Sequence, residues 1–344
     1  MADDKNALSK LKRDLKAGTP ARLYLFHGEE SYLREHYLDM LRKVVVNDQM
    51  PEFNLIQFEG KIPVDALIEA IDSYPAMSEK KMVVVRDFDI FKADEAYRKQ
   101  LESIFADLPE YVCLVFVYAS LECKPDKRTK LYLSFTKHGE VISFQRAGRN
   151  DLISWVKRRF AALDREIDTP LAEYLIFYCG GLMQGLIPEI EKIGAYSKRK
   201  QVSRQDVDAV ATPNPEAVVF DLTDAIASKR YREAMAIAEK LAVLNQEPIQ
   251  IVALIGRQFR QLYSANLILK QGQGTAELMK LWGMRSDYPA KLLLRTARQV
   301  DGQWVQLGIR LCMEADAALK LGGKSDVVEY LIARLAQDVG ERAV

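Results

Sequence analysis

From Ala21 to about Phe144, short near-continuous apolar runs alternate with stretches whose apolar positions recur at three- and four-residue steps. The runs Arg22 to Phe26, Leu55 to Phe58, Met82 to Val85, Val112 to Tyr118 and Val141 to Phe144 predict five strands. Between them, Tyr32 to Val46, Val64 to Ser73, Asp94 to Ala106 and Asp126 to His138 predict helices. Strands without polar alternation are buried on both faces, and helices between them supply the crossovers of a parallel sheet. This region therefore predicts an α/β layer domain. Ahead of it, Met1 to Gly18 sets Leu8, Leu11 and Leu15 among charges, the pattern of an amphipathic helix rather than a signal peptide.

After Gly148 the strand pattern stops. Asn150 or Asp151 can cap a helix carrying Leu152, Trp155, Val156, Phe160 and Leu163, Thr169-Pro170 reads as an N-cap followed by proline, and Ser203 starts a further short helix. These predict a small domain of about four helices ending near Thr212-Pro213-Asn214-Pro215, where two prolines forbid a continuous helix. From Glu216 onward every pattern is helical. Ile251, Ile255, Phe259, Leu262 and Leu269 lie near one face of a long helix from Pro248 to Lys270. Trp304, Leu307, Leu311, Ala315 and Ala318 line another, stopped by Gly322-Gly323, and Ser325 starts the last. The predicted division is 1–148, 149–212 and 213–344.

Composition narrows the function classes. A formal charge of +1, from 49 basic and 48 acidic residues, gives no global field toward nucleic acid or an anionic membrane, so any such contact needs a local patch. No apolar run approaches the roughly 20 residues of a membrane span. Cys113, Cys123, Cys179 and Cys312 have no CxxC spacing, which argues against zinc or a disulfide framework and fits a reducing cytosol. His27, His36 and His138 lie in separate elements without the spacing of a triad or metal site.

The stretch Leu23 to Glu35 has the strand, glycine turn and helix of a P-loop without its chemistry. Counting from Gly28, the places of the second glycine, the phosphate lysine and the Mg²⁺-binding hydroxyl hold Leu33, Arg34 and Glu35. A carboxylate at the metal position repels phosphate, so the turn predicts no catalysis and no cofactor. Met82 to Asp87 looks like a strand ending in a metal-binding acid, yet an isolated Asp87 cannot organise a nucleotide.

Small basic clusters occur at Lys124, Lys127, Arg128 and Lys130, at Arg146 and Arg149, at Arg158-Arg159, and at Lys198-Arg199-Lys200 with Arg204. Each suits phosphate contacts or a plain solvated face. Ile71 to Lys80 is more informative, because Pro75 breaks the preceding helix and leaves Tyr74, Ala76 and Met77 on a short tip. An exposed aromatic ring and thioether suit insertion into a partner's apolar pocket, the alternative being that they fold back on the sheet.

Four stretches, taken in order, resemble the delta subunit of the bacterial DNA polymerase III clamp loader. They are Tyr24 to Leu33, Pro125 to Leu131, Ile255 to Leu262, and Ala315 to Gly322, the last with an Asp-x-x-Leu-Lys-x-Gly pattern. The resemblance implies a degenerate AAA+ nucleotide-binding domain with a parallel five-stranded sheet, a helical lid, and a helical collar that joins a ring-shaped pentamer. It also implies the partners: the sliding clamp (beta subunit), the ATPase subunits, delta-prime, and primer-template DNA, in the bacterial cytoplasm.

Such a subunit hydrolyses no ATP and opens one interface of the clamp. Its clamp-gripping tip falls on Tyr74, Pro75, Ala76 and Met77, although the phenylalanine expected there is replaced by Ala76. Two rival readings are an active P-loop ATPase, which would need a lysine where Arg34 stands, and a stand-alone DNA-binding replication or repair factor using the basic clusters.

Overall fold

In chain order the first part of the protein runs α1 (Ala2–Ala17), β1 (Leu23–His27), α2 (Ser31–Val46), α3 (Pro51–Asn54), β2 (Leu55–Glu59), α4 (Val64–Asp72), β3 (Lys81–Arg86), α5 (Glu95–Ala106), β4 (Val112–Val117), α6 (Lys130–His138) and β5 (Glu140–Ser143). The computed structural model describes residues 2–46, 50–120, 123–243, 247–322 and 327–341. Two units are distinct: Met1–Ala147 with Leu182–Gln184, and Gly148–Gly181 with Gly185–Val344.

All five strands of the first unit are parallel and ordered β2-β3-β4-β1-β5. Leu25 is paired between Phe116 and Val141, and Val83 between Ile56 and Leu114. Successive strand residues serve opposite faces. Leu23, Leu25, Val83, Val85, Leu114 and Phe116 share a core with Leu67 and Ile71 of α4, Leu101 and Phe105 of α5, and Leu131 and Phe135 of α6. Tyr24, Phe26, Met82, Val84, Cys113 and Val115 face Leu11 and Leu15 of α1 and Tyr37, Leu41 and Val45 of α2. Burial on both sides is why these strands read as unbroken apolar runs.

Local chemistry moves some predicted boundaries. The last crossover helix starts at Lys130 rather than Asp126. Asp126 turns its carboxylate onto Arg128, accepting from its N–H at 3.1 Å and Nε at 3.0 Å, and Thr129 caps the helix by accepting from Tyr132 N–H at 3.2 Å. The short α3 has no periodicity to predict it.

The second unit is helical: α7 (Arg149–Ala161), α8 (Thr169–Cys179), α9 (Met183–Tyr196, its first two residues grouped with the first unit), α10 (Arg204–Val210), α11 (Pro215–Ala227), α12 (Tyr231–Val243), α13 (Pro248–Lys270), α14 (Thr275–Trp282), α15 (Asp287–Ala297), α16 (Gly302–Lys320) and α17 (Val327–Glu341). Gly148, not Asn150 or Asp151, precedes α7, and Asp168 rather than Thr169 caps α8, accepting from Leu171 N–H at 2.8 Å. Ser203 and Asp206 form a reciprocal capping box at α10. Ile251, Ile255, Phe259 and Leu262 of α13 share one core with Val219 and Leu222 of α11, Leu293 of α15, Trp304 and Leu311 of α16, and Leu331 of α17. Gly323 and Ser325, the predicted stop and start before α17, lie outside the described residues.

Candidate functional site

The glycine turn sits at the C-terminal end of β1, where a parallel sheet of this kind would present phosphate-binding groups. Here the chain closes the place itself. Only Gly28, Glu29 and Glu30 separate β1 from α2, so Leu33, Arg34 and Glu35 already lie inside the helix. Gly28 has φ +124°, and a Cβ on it would stand 2.3 Å from the Phe144 carbonyl oxygen. Glu30 N–H donates to that same oxygen at 2.9 Å, and Phe144 N–H donates to His27 O at 2.7 Å. The glycine therefore serves a close backbone crossing.

Each side chain at a P-loop position is engaged elsewhere. The Arg34 side chain is buried and donates through Nη1 to the Gly28 carbonyl at 2.8 Å. Glu35 accepts two hydrogen bonds from Arg86, at 2.8 and 3.1 Å, and this guanidinium holds its carboxyl below the usual carboxylate range. Leu33 is half-buried against the α1/α2 face of the sheet.

Glu30 is fully buried and accepts from the N–H groups of Tyr32 and Met183, so its carboxyl fills the α2 N-terminus, where a phosphate would otherwise be favoured. Glu29 pairs with Arg146 at 2.6 Å. Two carboxylates, a short turn and a diverted arginine do not fit a Mg²⁺-nucleotide.

Burial pushes the Glu30 carboxyl above its ordinary value of 4.5. Its folded-state pKa thus exceeds the unfolded one, so its contribution to stability is intact below that value and is lost as pH rises past it. Glu30→Gln is expected to raise Tm more at pH 7 than at pH 4, measured by calorimetry. An equal shift at both pH values would rule out charge burial as the cause.

Asp87 is structural. With φ +50°, its Oδ1 accepts from Ala119 N–H at 2.7 Å and Ser120 N–H at 2.8 Å, tying the end of β3 to the segment after β4. Among the described residues no three His, Cys, Asp or Glu side chains converge as a metal site. Nor is any described helix long and apolar enough to cross a membrane.

Lys124, Lys127, Arg128 and Lys130 are exposed around the start of α6, with Arg128 bound to Asp126. Arg149 pairs with Glu173 and Asp287, and Lys200 with Glu166. The Arg204 guanidinium stacks 3.7 Å from the centroid of the Tyr174 ring. Several arginines of the basic clusters thus serve local pairs.

The tip lies between the end of α4 and the start of β3, at the N-terminal end of the parallel strands, whereas the glycine turn lies at their C-terminal end. Tyr74 is 83% exposed and Met77 81%. Ala76, half-buried, contributes backbone: its N–H donates to Asn54 Oδ1 at 2.8 Å and its carbonyl accepts from Asn54 Nδ2 at 2.9 Å. Lys81 is buried and its amine donates to the carbonyl and hydroxyl of Ser73. Its Nζ stands 5.5 Å from the centroid of the Tyr111 ring, and burial lowers its pKa. Tyr111 donates to Asp72 O at 3.2 Å and stacks on Tyr74, ring centroids 5.1 Å apart. The tip is fastened on both sides, with Tyr74 and Met77 outward.

Sequence reading located the displayed residues but not their braces. Asn54 is 22 positions from Ala76, a pairing no local pattern encodes. Lys81 left a trace, as a lysine directly before the apolar run Met82 to Val85.

The parallel order β2-β3-β4-β1-β5, with a glycine turn after β1 that the chain's own groups fill, defines a class: a parallel α/β layer domain whose phosphate-type turn is closed by its own backbone and side chains. Comparison with known proteins makes the class specific. The family model described as "DNA polymerase III, delta subunit" matches residues 24–145, and that described as "DNA polymerase III delta subunit, C-terminal domain" matches 216–335. The chain belongs to the DNA polymerase III delta subunit family.

It is similar to DNA polymerase III subunit delta of Bacillus subtilis (strain 168), 25% identical over 319 residues, 91% of each chain. It is also similar to the probable DNA polymerase III subunit delta of Aquifex aeolicus (strain VF5), 23% identical over 276 residues, 78% of this chain and 77% of that one. The solved structure of the Bacillus subtilis DNA clamp loader delta protein shares the fold, with a TM-score of 0.58 and 24% identity, covering 95% of this chain and 99% of the other.

Proposed function

We propose that this subunit binds the sliding clamp through Tyr74, Pro75, Ala76 and Met77 and opens one clamp interface for loading onto primed DNA, without hydrolysing ATP. The observation that carries the reading is the tip: a braced loop holds two large apolar side chains more than four-fifths exposed in a chain of the delta family. The closed turn at Gly28 supports the non-hydrolysing role. Residues 1–148 then form the degenerate AAA+ domain, 149–212 the lid, and 213–344 the collar that meets the ATPase subunits and delta-prime in a pentamer. Lys124, Lys127, Arg128 and Lys130 are proposed contacts to the phosphates of primer-template DNA, and the site of action is the cytoplasm.

Opening needs no chemistry. A ligand that prefers the sprung form of a clamp interface shifts the clamp toward it by its differential affinity. A tip with few internal degrees of freedom helps, because little ordering remains to be done on binding. The test is titration of the purified chain into its own organism's sliding clamp, without nucleotide, by calorimetry. Submicromolar affinity with a flat MgATP titration is expected; no detectable clamp binding by the folded chain would overturn the proposal.

A further inference from the structure

Phe53 belongs to the short α3, which the sequence pattern did not predict, and it is 62% exposed. Its neighbour Asn54 is fully buried and its side chain faces two segments at once. Oδ1 and Nδ2 pair with both backbone groups of Ala76, as an adjoining strand would, and Nδ2 also lies 3.4 Å from the Met50 carbonyl. The sheet register repeats the proximity: Leu55, next after Asn54, pairs with Met82, next after Lys81, whose amine holds Ser73 at the tip's other end. Two loops that enter neighbouring strands are thus locked together, and each carries a large exposed apolar side chain.

We infer that Phe53 is a second anchor for the partner that takes the tip, and that Asn54 holds Phe53, Tyr74 and Met77 in one register. The inference rests on the clamp-binding reading of the tip. The patch joins an aromatic ring on α3 to a phenol and a thioether on the loop, and Glu52, Asp72 and Glu79 stand exposed within the same two segments. The surface that complements it is an apolar groove with room for two separated side chains and with basic groups along its rim. Phe53 is the anchor and Asn54 a positioning residue, since Asn54 is buried and reaches the partner only through the loops it holds.

The experiment compares the purified chain and its Phe53→Ser, Phe53→Leu, Asn54→Ala and Tyr74→Ser/Met77→Ser variants for binding to the sliding clamp by surface plasmon resonance. Hydrogen exchange at the Ala76 amide is followed in parallel. Phe53→Ser is expected to weaken binding about five- to twentyfold with Ala76 protection unchanged, and Phe53→Leu to restore most of the affinity. Asn54→Ala is expected to lose Ala76 protection and affinity together. If the Tyr74/Met77 pair weakens binding while Phe53→Ser stays within twofold of the unchanged chain, the second anchor falls and the tip reading stands. If neither matters, both fall.

Discussion

Replacing Tyr74 and Met77 together by serine is expected to weaken clamp binding at least tenfold while leaving the fold and loader assembly intact. Fully burying a side chain of this size contributes ~1.5 to 3 kcal/mol. Both are more than four-fifths exposed in the free chain, so nearly all of that surface remains to be buried by a partner. Tyr74 already shares one face with Tyr111, which lowers its share, yet even half the summed value exceeds the roughly 1.4 kcal/mol of a tenfold change. The same exposure predicts little effect on stability, because substitutions at uncrowded surface positions fall within about 0.5 kcal/mol. Surface plasmon resonance against the clamp, paired with a thermal melt and a reconstitution of the loader, separates the effects. Unchanged affinity would sink the clamp-binding assignment, whereas lost affinity with a lowered Tm would point to a damaged loop.

What the sequence encodes locally, it displays. Val112 to Tyr118 reads as a strand because both its faces are buried, and Pro75 announces the end of α4 because proline cannot continue a helix. What depends on chain crossings is silent. Arg34 reads as a poor lysine in a phosphate loop, and only the fold turns its guanidinium inward to the Gly28 carbonyl. Glu30 has no sequence signal at all, yet its buried carboxyl fills the head of α2. Asn54 reads as an ordinary residue before a strand, and its role appears only when β2 and β3 are in register. The displayed half of the tip was legible and the bracing half was not, since bracing joins separate segments through side-chain hydrogen bonds that no local pattern encodes.

Gly28→Ala is expected to be strongly destabilising, and for a reason unrelated to phosphate. The new methyl group would meet Phe144 O at 2.3 Å, its carbonyl carbon at 2.7 Å and its nitrogen at 2.8 Å, all backbone atoms that cannot rotate away. Relief requires parting β1 from the segment after β5, which breaks the Phe144 N–H to His27 O bond and the Glu30 N–H to Phe144 O bond. The φ of +124° adds strain for any residue with a Cβ. Together these place the loss at roughly 3 to 5 kcal/mol, a fall in Tm of about 10 °C or more for a unit of this size. Gly60 is the control: its φ is +69° but nothing lies within 4 Å of a Cβ, so Gly60→Ala carries conformational strain alone, on the order of 1 kcal/mol. Thermal unfolding of the two variants side by side decides the point. Equal losses would mean the close crossing at Phe144 is not limiting. A much larger loss at Gly28, with clamp affinity kept by the fraction still folded, would establish that the glycine is held by the packing at the C-terminal end of the strands, away from the tip, and that the two ends of the sheet act independently.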